Sequence, residues 1–233
     1  MTKSLFITGT GTDVGKTYAT GLLLKKLSEA GMKAAYFKAA MSGNLRDRAG
    51  NLLPGDAAWV KRISSISQPL ATMCPYVYET AVSPHLAAKI EGNPVDMENV
   101  LRHFDALGDR YDWVVAEGSG GILCPLRWDE RKIVLEDFVR ARRLSSLVVA
   151  DAGLGTINAV VLTIEYMRSR RLSVKGILLN RFEPGNRLHE DNKLMCERIT
   201  GVRVIGMIRS GEEELDIPLE RVKELFEENG LTE

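Results

Sequence analysis

Residues 9–17 read Gly-Thr-Gly-Thr-Asp-Val-Gly-Lys-Thr and follow the apolar run Leu5-Phe6-Ile7. An apolar strand that feeds a glycine-rich turn and then a helix is the arrangement that cradles nucleotide phosphates. Successive backbone N–H groups converge on the anion, the helix N-terminus adds positive dipole, and Lys16 supplies a full charge. The hydroxyl of Thr17 is placed to hold a Mg²⁺ ion that bridges the outer phosphates. The usual pattern has four residues between its glycines, whereas five separate Gly9 from Gly15. The loop is therefore a variant. Gly9, Thr12, Asp13, Val14, Gly15, Lys16 and Thr17 are its candidate nucleotide contacts.

Working outward, apolar β-rich segments recur at Ser4–Thr8, Ala34–Lys38, Trp113–Glu117, Ser146–Asp151, Gly176–Asn180 and Val204–Ile208. Helical periodicity fills the intervals: Lys16–Ala30, Asp56–Ile63, His85–Ile90, Met97–Leu107, Glu136–Arg143, Ile157–Arg171, Glu190–Ile199 and Leu219–Glu228. In the first helix Leu22, Leu23, Leu24 and Leu27 are read as one buried face, and Gly31 marks its end. Near-continuous Val/Ile/Leu strands joined by crossover helices predict an α/β fold, a mostly parallel sheet with helices on both faces. No internal repeat or linker breaks the chain, so one domain over residues 1–233 is expected.

Composition narrows the function class. Lys and Arg total 31 against 31 Asp and Glu, which leaves no global field for nucleic acid or anionic lipid. The basic runs 140–143 and 168–171 read as solvated helix faces or helix C-terminal charges. Cys74, Cys124 and Cys196 have no metal or disulfide spacing. Cys196 is expected in the core and Cys124 at the lining of a pocket. The three histidines likewise lack ligand spacing. No signal-peptide core or membrane-length apolar stretch is present, so no membrane partner and a cytoplasmic location are expected.

In parallel sheets the ligand lies beyond the carboxyl ends of the strands. The segments there are polar and glycine-rich: Lys38-Ala-Ala-Met-Ser-Gly43, Glu117-Gly-Ser-Gly-Gly121, Asp151-Ala-Gly-Leu-Gly-Thr-Ile-Asn158 and Asn180-Arg181. Glu117 closes an apolar strand and is the leading carboxylate for a metal. Asp56, after Pro54-Gly55, is either a second metal ligand or a helix N-cap. Lys38 is read either as a second cation on a transferring phosphoryl group or as a lysine snorkelling at a strand end. Thr12 and Ser42 are hydrogen-bond donors to the same anion or turn caps. Asn180 offers the donor and acceptor that suit an adenine edge. Ser83-Pro84-His85 reads as an N-cap, a proline at the first helical position and the start of a helix. Trp59, Trp113 and Trp128 read as core or loop-packing aromatics.

With these residues in view, the chain resembles the dethiobiotin synthetases, ATP-dependent cyclising ligases of biotin synthesis with a phosphate-loop NTPase-like fold. The resemblance runs from Gly9 to about Ile208. It rests on the variant loop, on Lys38 with Ser42-Gly43, Asp56, Ser83-Pro84-His85, Glu117-Gly-Ser-Gly-Gly121 with Pro125-Leu126, Gly155-Thr-Ile-Asn158 and Asn180. It implies that 7,8-diaminopelargonate takes up CO₂ as a carbamate. The carbamate attacks the γ-phosphate of ATP to form a carbamic-phosphoric anhydride, and the second amine closes the ureido ring. By the same resemblance Lys16 and Lys38 neutralise phosphoryl oxygens, and Thr17, Asp56 and Glu117 hold Mg²⁺. Thr12 and Ser42 bond the carbamate or phosphate, and Gly120-Gly121 lets backbone approach the substrate. The substrate carboxylate would sit on Gly155, Thr156, Ile157 and Asn158 of a partner subunit, which implies a homodimer.

Four departures stand out. Gly11 replaces the family's usual loop Asp, Ala39 the Pro after the lysine and Ser119 an Ala, and no Tyr lies near Asn192. Gly11 also separates the chain from switch or partitioning ATPases, which typically carry a second loop lysine there. An amidotransferase synthetase module would need a glutaminase that 233 residues do not accommodate. A small-molecule kinase would need an Arg-rich lid, and residues 140–143 read instead as an amphipathic helix.

Overall fold

Residues 2–227 are described by a computed structural model. The chain opens with β1 (Lys3–Gly9), α1 (Lys16–Glu29) and β2 (Ala34–Lys38), then short strands β3 (Ala40–Met41), β4 (Leu45–Arg46) and β5 (Leu52–Leu53). Next come α2 (Gly55–Ser64), β6 (Tyr76–Val77), α3 (Pro84–Ile90), α4 (Met97–Gly108), β7 (Trp113–Gly121), β8 (Pro125–Trp128) and β9 (Lys132–Val134). The remainder is α5 (Leu135–Ala141), β10 (Ser145–Asp151), α6 (Thr156–Ser169), β11 (Val174–Asn180), α7 (Arg187–Thr200), β12 (Val204–Ile208) and α8 (Leu219–Glu224). The last helix was expected to reach Glu228, which lies outside the described residues.

Six strands form one sheet in the order β12-β11-β10-β1-β7-β2, and every pairing is parallel. Side chains alternate between two cores with the period of two that a strand imposes. Leu5 and Ile7 of β1, Tyr36 of β2, Val115 of β7 and Leu147 and Val149 of β10 face α1, α2 and α8. Phe6, Phe37, Ala116, Val148 and Ala150 face α4 to α7. On that second side Phe37, Phe104 and Phe138 pack with ring centroids 5.1–5.6 Å apart. Both faces being covered explains why the strands read as continuous apolar runs.

Several local expectations change. The glycine run after Glu117 is not a loop, because β7 continues to Gly121, whose partner across the register shift is Gly9. A Cβ at Gly118 would lie 2.6 Å from Leu135 Cδ2, so the run packs tightly beneath α5. Helix α1 buries Leu22, Leu23, Leu24 and Leu27 on more than one face, because α2 covers its flank. There Gly21 lets Trp59 approach, and a Cβ would come within 2.5 Å of the indole. The helix does end as expected, with Gly31 at φ 73°. Trp128 is not core: it lies exposed on β8 with Lys132 over its ring.

The basic runs are more than solvated charge. Glu136, 2 % exposed, accepts from Arg140 Nη2 at 3.0 Å, from Arg170 Nη2 at 2.8 Å and from the Tyr166 hydroxyl. Arg142 pairs with Asp105, joining α4 to the end of α5. Burial by itself raises the Glu136 pKa, but the Arg170 and Tyr166 hydrogen bonds outweigh it and hold the carboxyl below its ordinary range. A depressed carboxyl stabilises the fold above its unfolded value and loses that contribution as pH falls through the folded one. Glu136→Gln should therefore cost about 1–3 kcal/mol at neutral pH in urea unfolding. The gap between variant and wild type should close below about pH 4.

Candidate active site

β1 is the point where strand order reverses, with β7 and β2 on one side and β10, β11 and β12 on the other. A crevice beyond the carboxyl ends follows from that reversal. The cavity found there has a volume of about 910 Å³ and brings together Thr12, Asp13, Gly15, Lys16, Thr17, Lys38, Ser42, Asp56, Glu117, Gly120 and Cys124.

The loop of residues 10–15 closes over the end of β1. A Cβ at Gly9 would lie 2.8 Å from Val14 Cγ2, and Gly15 holds φ 97°, which L side chains rarely adopt. No side chain caps α1 behind Gly15, so its first N–H groups stay available to an anion. Lys16, 7 % exposed, meanwhile donates to the Gly11 carbonyl at 2.7 Å. Gly11 itself stands in the open, with nothing within 4 Å of a Cβ built on it.

Lys38 and Glu117 are direct partners on adjacent strands, and both are buried, at 5 % and 1 % exposure. Lys38 Nζ lies 2.7 Å from Glu117 Oε1 and 2.6 Å from Asp56 Oδ2. The Thr17 hydroxyl donates to the same Glu117 Oε1 at 2.7 Å, and Tyr36 donates to Oε2 at 3.0 Å. Lys38 thus does not snorkel, and Asp56 is not an N-cap, because Pro54 holds the cap position and Asp56 lies in the first turn of α2. Burial pulls the Lys38 pKa down, but Glu117 and then Asp56 outweigh it and raise the ammonium above the ordinary lysine value. Lys16 shifts the other way, lowered by burial and then by the charge of Lys38.

The remaining expected residues divide. Ser42 faces the cavity while donating to the Val82 carbonyl at 2.5 Å. Thr12 stands on the rim, with its Oγ1 3.7 Å from a Cβ built on Gly120. Gly121 and Val14 lie behind the lining. Asn180 is buried below the loop and gives Nδ2 to the Val14 carbonyl at 3.0 Å, so part of its hydrogen-bonding capacity braces the loop. Gly155, Thr156, Ile157 and Asn158 start α6 and line no part of this cavity. Asn192 binds the Ala152 and Gly153 carbonyls just before that turn. Ser119 also faces the cavity, its hydroxyl donating to the Ala40 carbonyl at 2.6 Å.

One contributor was missed. Tyr36 sits two residues before Lys38, and the period of two that puts both on one face was signal enough. Arg181, marked only by its place after a strand and given no role, lines the cavity from the end of β11.

A family model described as an AAA domain matches residues 3–214. A protein of Brachyspira hyodysenteriae named ATP-dependent dethiobiotin synthetase BioD is 46% identical over 228 residues, which cover 97% of this chain and all of the relative. Proteins of the same name from Clostridium perfringens and Clostridium botulinum are 42% and 41% identical. Alignment covers 89% and 98% of this chain, and 91% and 100% of those relatives. Among solved structures, a ParA family ATPase from Chlorobium tepidum aligns over 97% of this chain and 89% of its own, with a TM-score of 0.56 at 13% identity. The MinC:MinD cell division complex of Aquifex aeolicus aligns over 96% and 86%, at 0.55 and 14%. At such identities these two show the fold alone.

If Lys16 holds a phosphate, its charge sets a pH limit on that binding. Its ammonium titrates below the ordinary lysine value of 10.5, and only the protonated form attracts phosphate. Affinity for a nucleoside triphosphate should therefore fall as pH rises, beginning below 10.5. Lys16→Arg, whose guanidinium stays charged, should flatten the profile, as calorimetry from neutral to alkaline pH would show.

Proposed function

The chain belongs to the ATP-dependent dethiobiotin synthetase family, and on that premise we propose which of its residues close the ureido ring. It is an ATP-dependent ligase that forms carbon–nitrogen bonds, and dethiobiotin in biotin biosynthesis is its product. The substrates in this reading are 7,8-diaminopelargonate, CO₂ and ATP. One amine adds CO₂ and loses a proton to become a carbamate. The carbamate oxygen attacks the γ-phosphorus, breaking its bond to the bridging oxygen and releasing ADP. The second amine then attacks the carbonyl carbon of the resulting carbamic-phosphoric anhydride, gives up a proton, and phosphate leaves.

Both partners in the phosphoryl step are anions, so the step needs cations fixed in place before substrates arrive. Lys16 at the loop and Lys38 at the end of β2 supply two of them within one cavity. That juxtaposition is the observation that carries the assignment. Gly9 to Thr17 cradle the phosphates, Thr12 and Ser42 donate to carbamate or phosphate, and Gly120, with Gly121 behind it, lets backbone approach the substrate. The oxygen acceptor of Asn180 is left for the base.

The donor set fits Mg²⁺. Thr17, Asp56 and Glu117 offer hard oxygen ligands, and the two carboxylates already surround one cation, the ammonium of Lys38. Lining charges also balance, with Lys16, Lys38 and Arg181 against Asp13, Asp56 and Glu117. A neutral lining favours a polyphosphate that arrives with its own divalent cation. When bound, Mg²⁺ neutralises charge on the outer phosphates. Residues 155–158 lie off this cavity at the start of α6, where Gly155 and Asn158 are exposed and Thr156 is buried, and in this reading that turn binds the substrate carboxylate for a neighbouring subunit of a homodimer.

The test is turnover with diamine, bicarbonate, Mg²⁺ and ATP, following phosphate and the cyclic urea together. Phosphate should appear only with the diamine and in step with product. Lys38→Ala should lower kcat by about 10²–10³, the usual effect of removing a fixed charge from a phosphoryl site. ATP hydrolysis indifferent to the diamine would overturn the ligase reading.

A further inference from the structure

We propose that Arg181, held by Asp151, is a positioning residue that aims the N–H groups of the phosphate loop. This rests on the nucleotide reading of that loop. Arg181 Nη2 donates to the Asp13 carbonyl at 2.9 Å, and its neighbour Asn180 donates to the Val14 carbonyl at 3.0 Å. Two consecutive residues of β11's end thus grip two consecutive carbonyls of the loop. A trans peptide unit is planar, with its C=O and the following N–H pointing in opposite directions. Pulling the Asp13 and Val14 carbonyls toward β11 turns the N–H groups of Val14 and Gly15 away from it, which is how a concave anion site is formed.

The arrangement is held at both ends. Arg181 Nη1 bonds Asp151 Oδ2 at 2.5 Å, so one guanidinium fork ties the ends of β10 and β11 to the loop. Both residues of the loop contact, Asp13 at φ 59° and Arg181 at φ 56°, have left-handed backbones. Arg is not a residue that favours that region, and such outliers persist where the surroundings over-determine them. With side chains 51% and 41% exposed, Arg181 and Asp151 form an ion pair that adds little to stability by itself. Its consequence is geometric. Lysine keeps the charge but not the fork, so it cannot bridge carboxylate and carbonyl in the same way.

The experiment measures ATP, ADP and adenosine binding to wild type, Arg181→Met, Arg181→Lys and Asp151→Asn, with Tm recorded for each. Arg181→Met and Arg181→Lys should both weaken ATP and ADP by about tenfold or more, the effect of losing a charge-assisted hydrogen bond. Asp151→Asn should fall between, while adenosine binding and Tm hold. Amide exchange at Val14 and Gly15 should quicken in Arg181→Met. In turnover, KM for ATP should rise while kcat stays within about twofold. Wild-type affinity in Arg181→Lys would mean that charge alone matters and would overturn the proposal. So would an equal loss of adenosine, or unchanged ATP binding in Arg181→Met. Failure of the wild type itself to bind ATP would instead remove the nucleotide reading beneath it.

Discussion

An ammonium and a carboxylate, Lys38 and Glu117, face each other inside the protein on adjacent parallel strands. Neither charge can be buried alone, because removing an ion from water costs several kcal/mol before any partner is found. The pair therefore constrains what surrounds it. Tyr36 must fill the second oxygen of Glu117, Asp56 must come from α2 to complete Lys38, and Thr17 must turn its hydroxyl inward. A shift of β2 against β7 by one residue would separate Lys38 from Glu117 and send Tyr36 to the opposite face. The register that packs the core also builds the site.

The same cluster explains why the two lysines of the cavity differ. Lys38 lies against both carboxylates and holds its proton firmly, whereas Lys16 is desolvated beside a cation and, among the described residues, donates to the Gly11 carbonyl alone. The carboxylates of Glu117, Asp56 and Asp13 act on Lys16 too, but burial and Lys38 outweigh them. Lys38 already has its counter-charges, so the site contains one satisfied cation and one unsatisfied one.

Much of this was legible because the signals were local. The loop and the β1–α1 unit are contiguous, and strands buried on both faces stand out as apolar runs. Lys38, Glu117 and Asp56 were visible as polar residues at strand or helix ends, although Asp56 and Lys38 each kept a structural alternative that only spatial proximity removes. What escaped depends on packing. The glycine run 118–121 looks like a loop until Gly9 is seen pairing with Gly121. The arginines at 140 and 170 read as surface charge because their shared partner, Glu136, sits in another part of the fold for one of them. Arg181 showed its place after a strand but not its contact, which is with a loop 168 residues earlier.

Fold likeness and family membership point to different neighbours. The ParA and MinC:MinD structures share this architecture at 13–14% identity, while the dethiobiotin synthetases share its sequence at 40–46%. Partitioning ATPases typically carry their second lysine in the loop itself, at the position of Gly11. Here that position is empty space and the second lysine is Lys38, fixed in the sheet. A cation anchored between a buried carboxylate, Glu117, and a partly exposed one, Asp56, suits a ligase, because its charge stands in place before the reacting anions meet and need not be reorganised as they do.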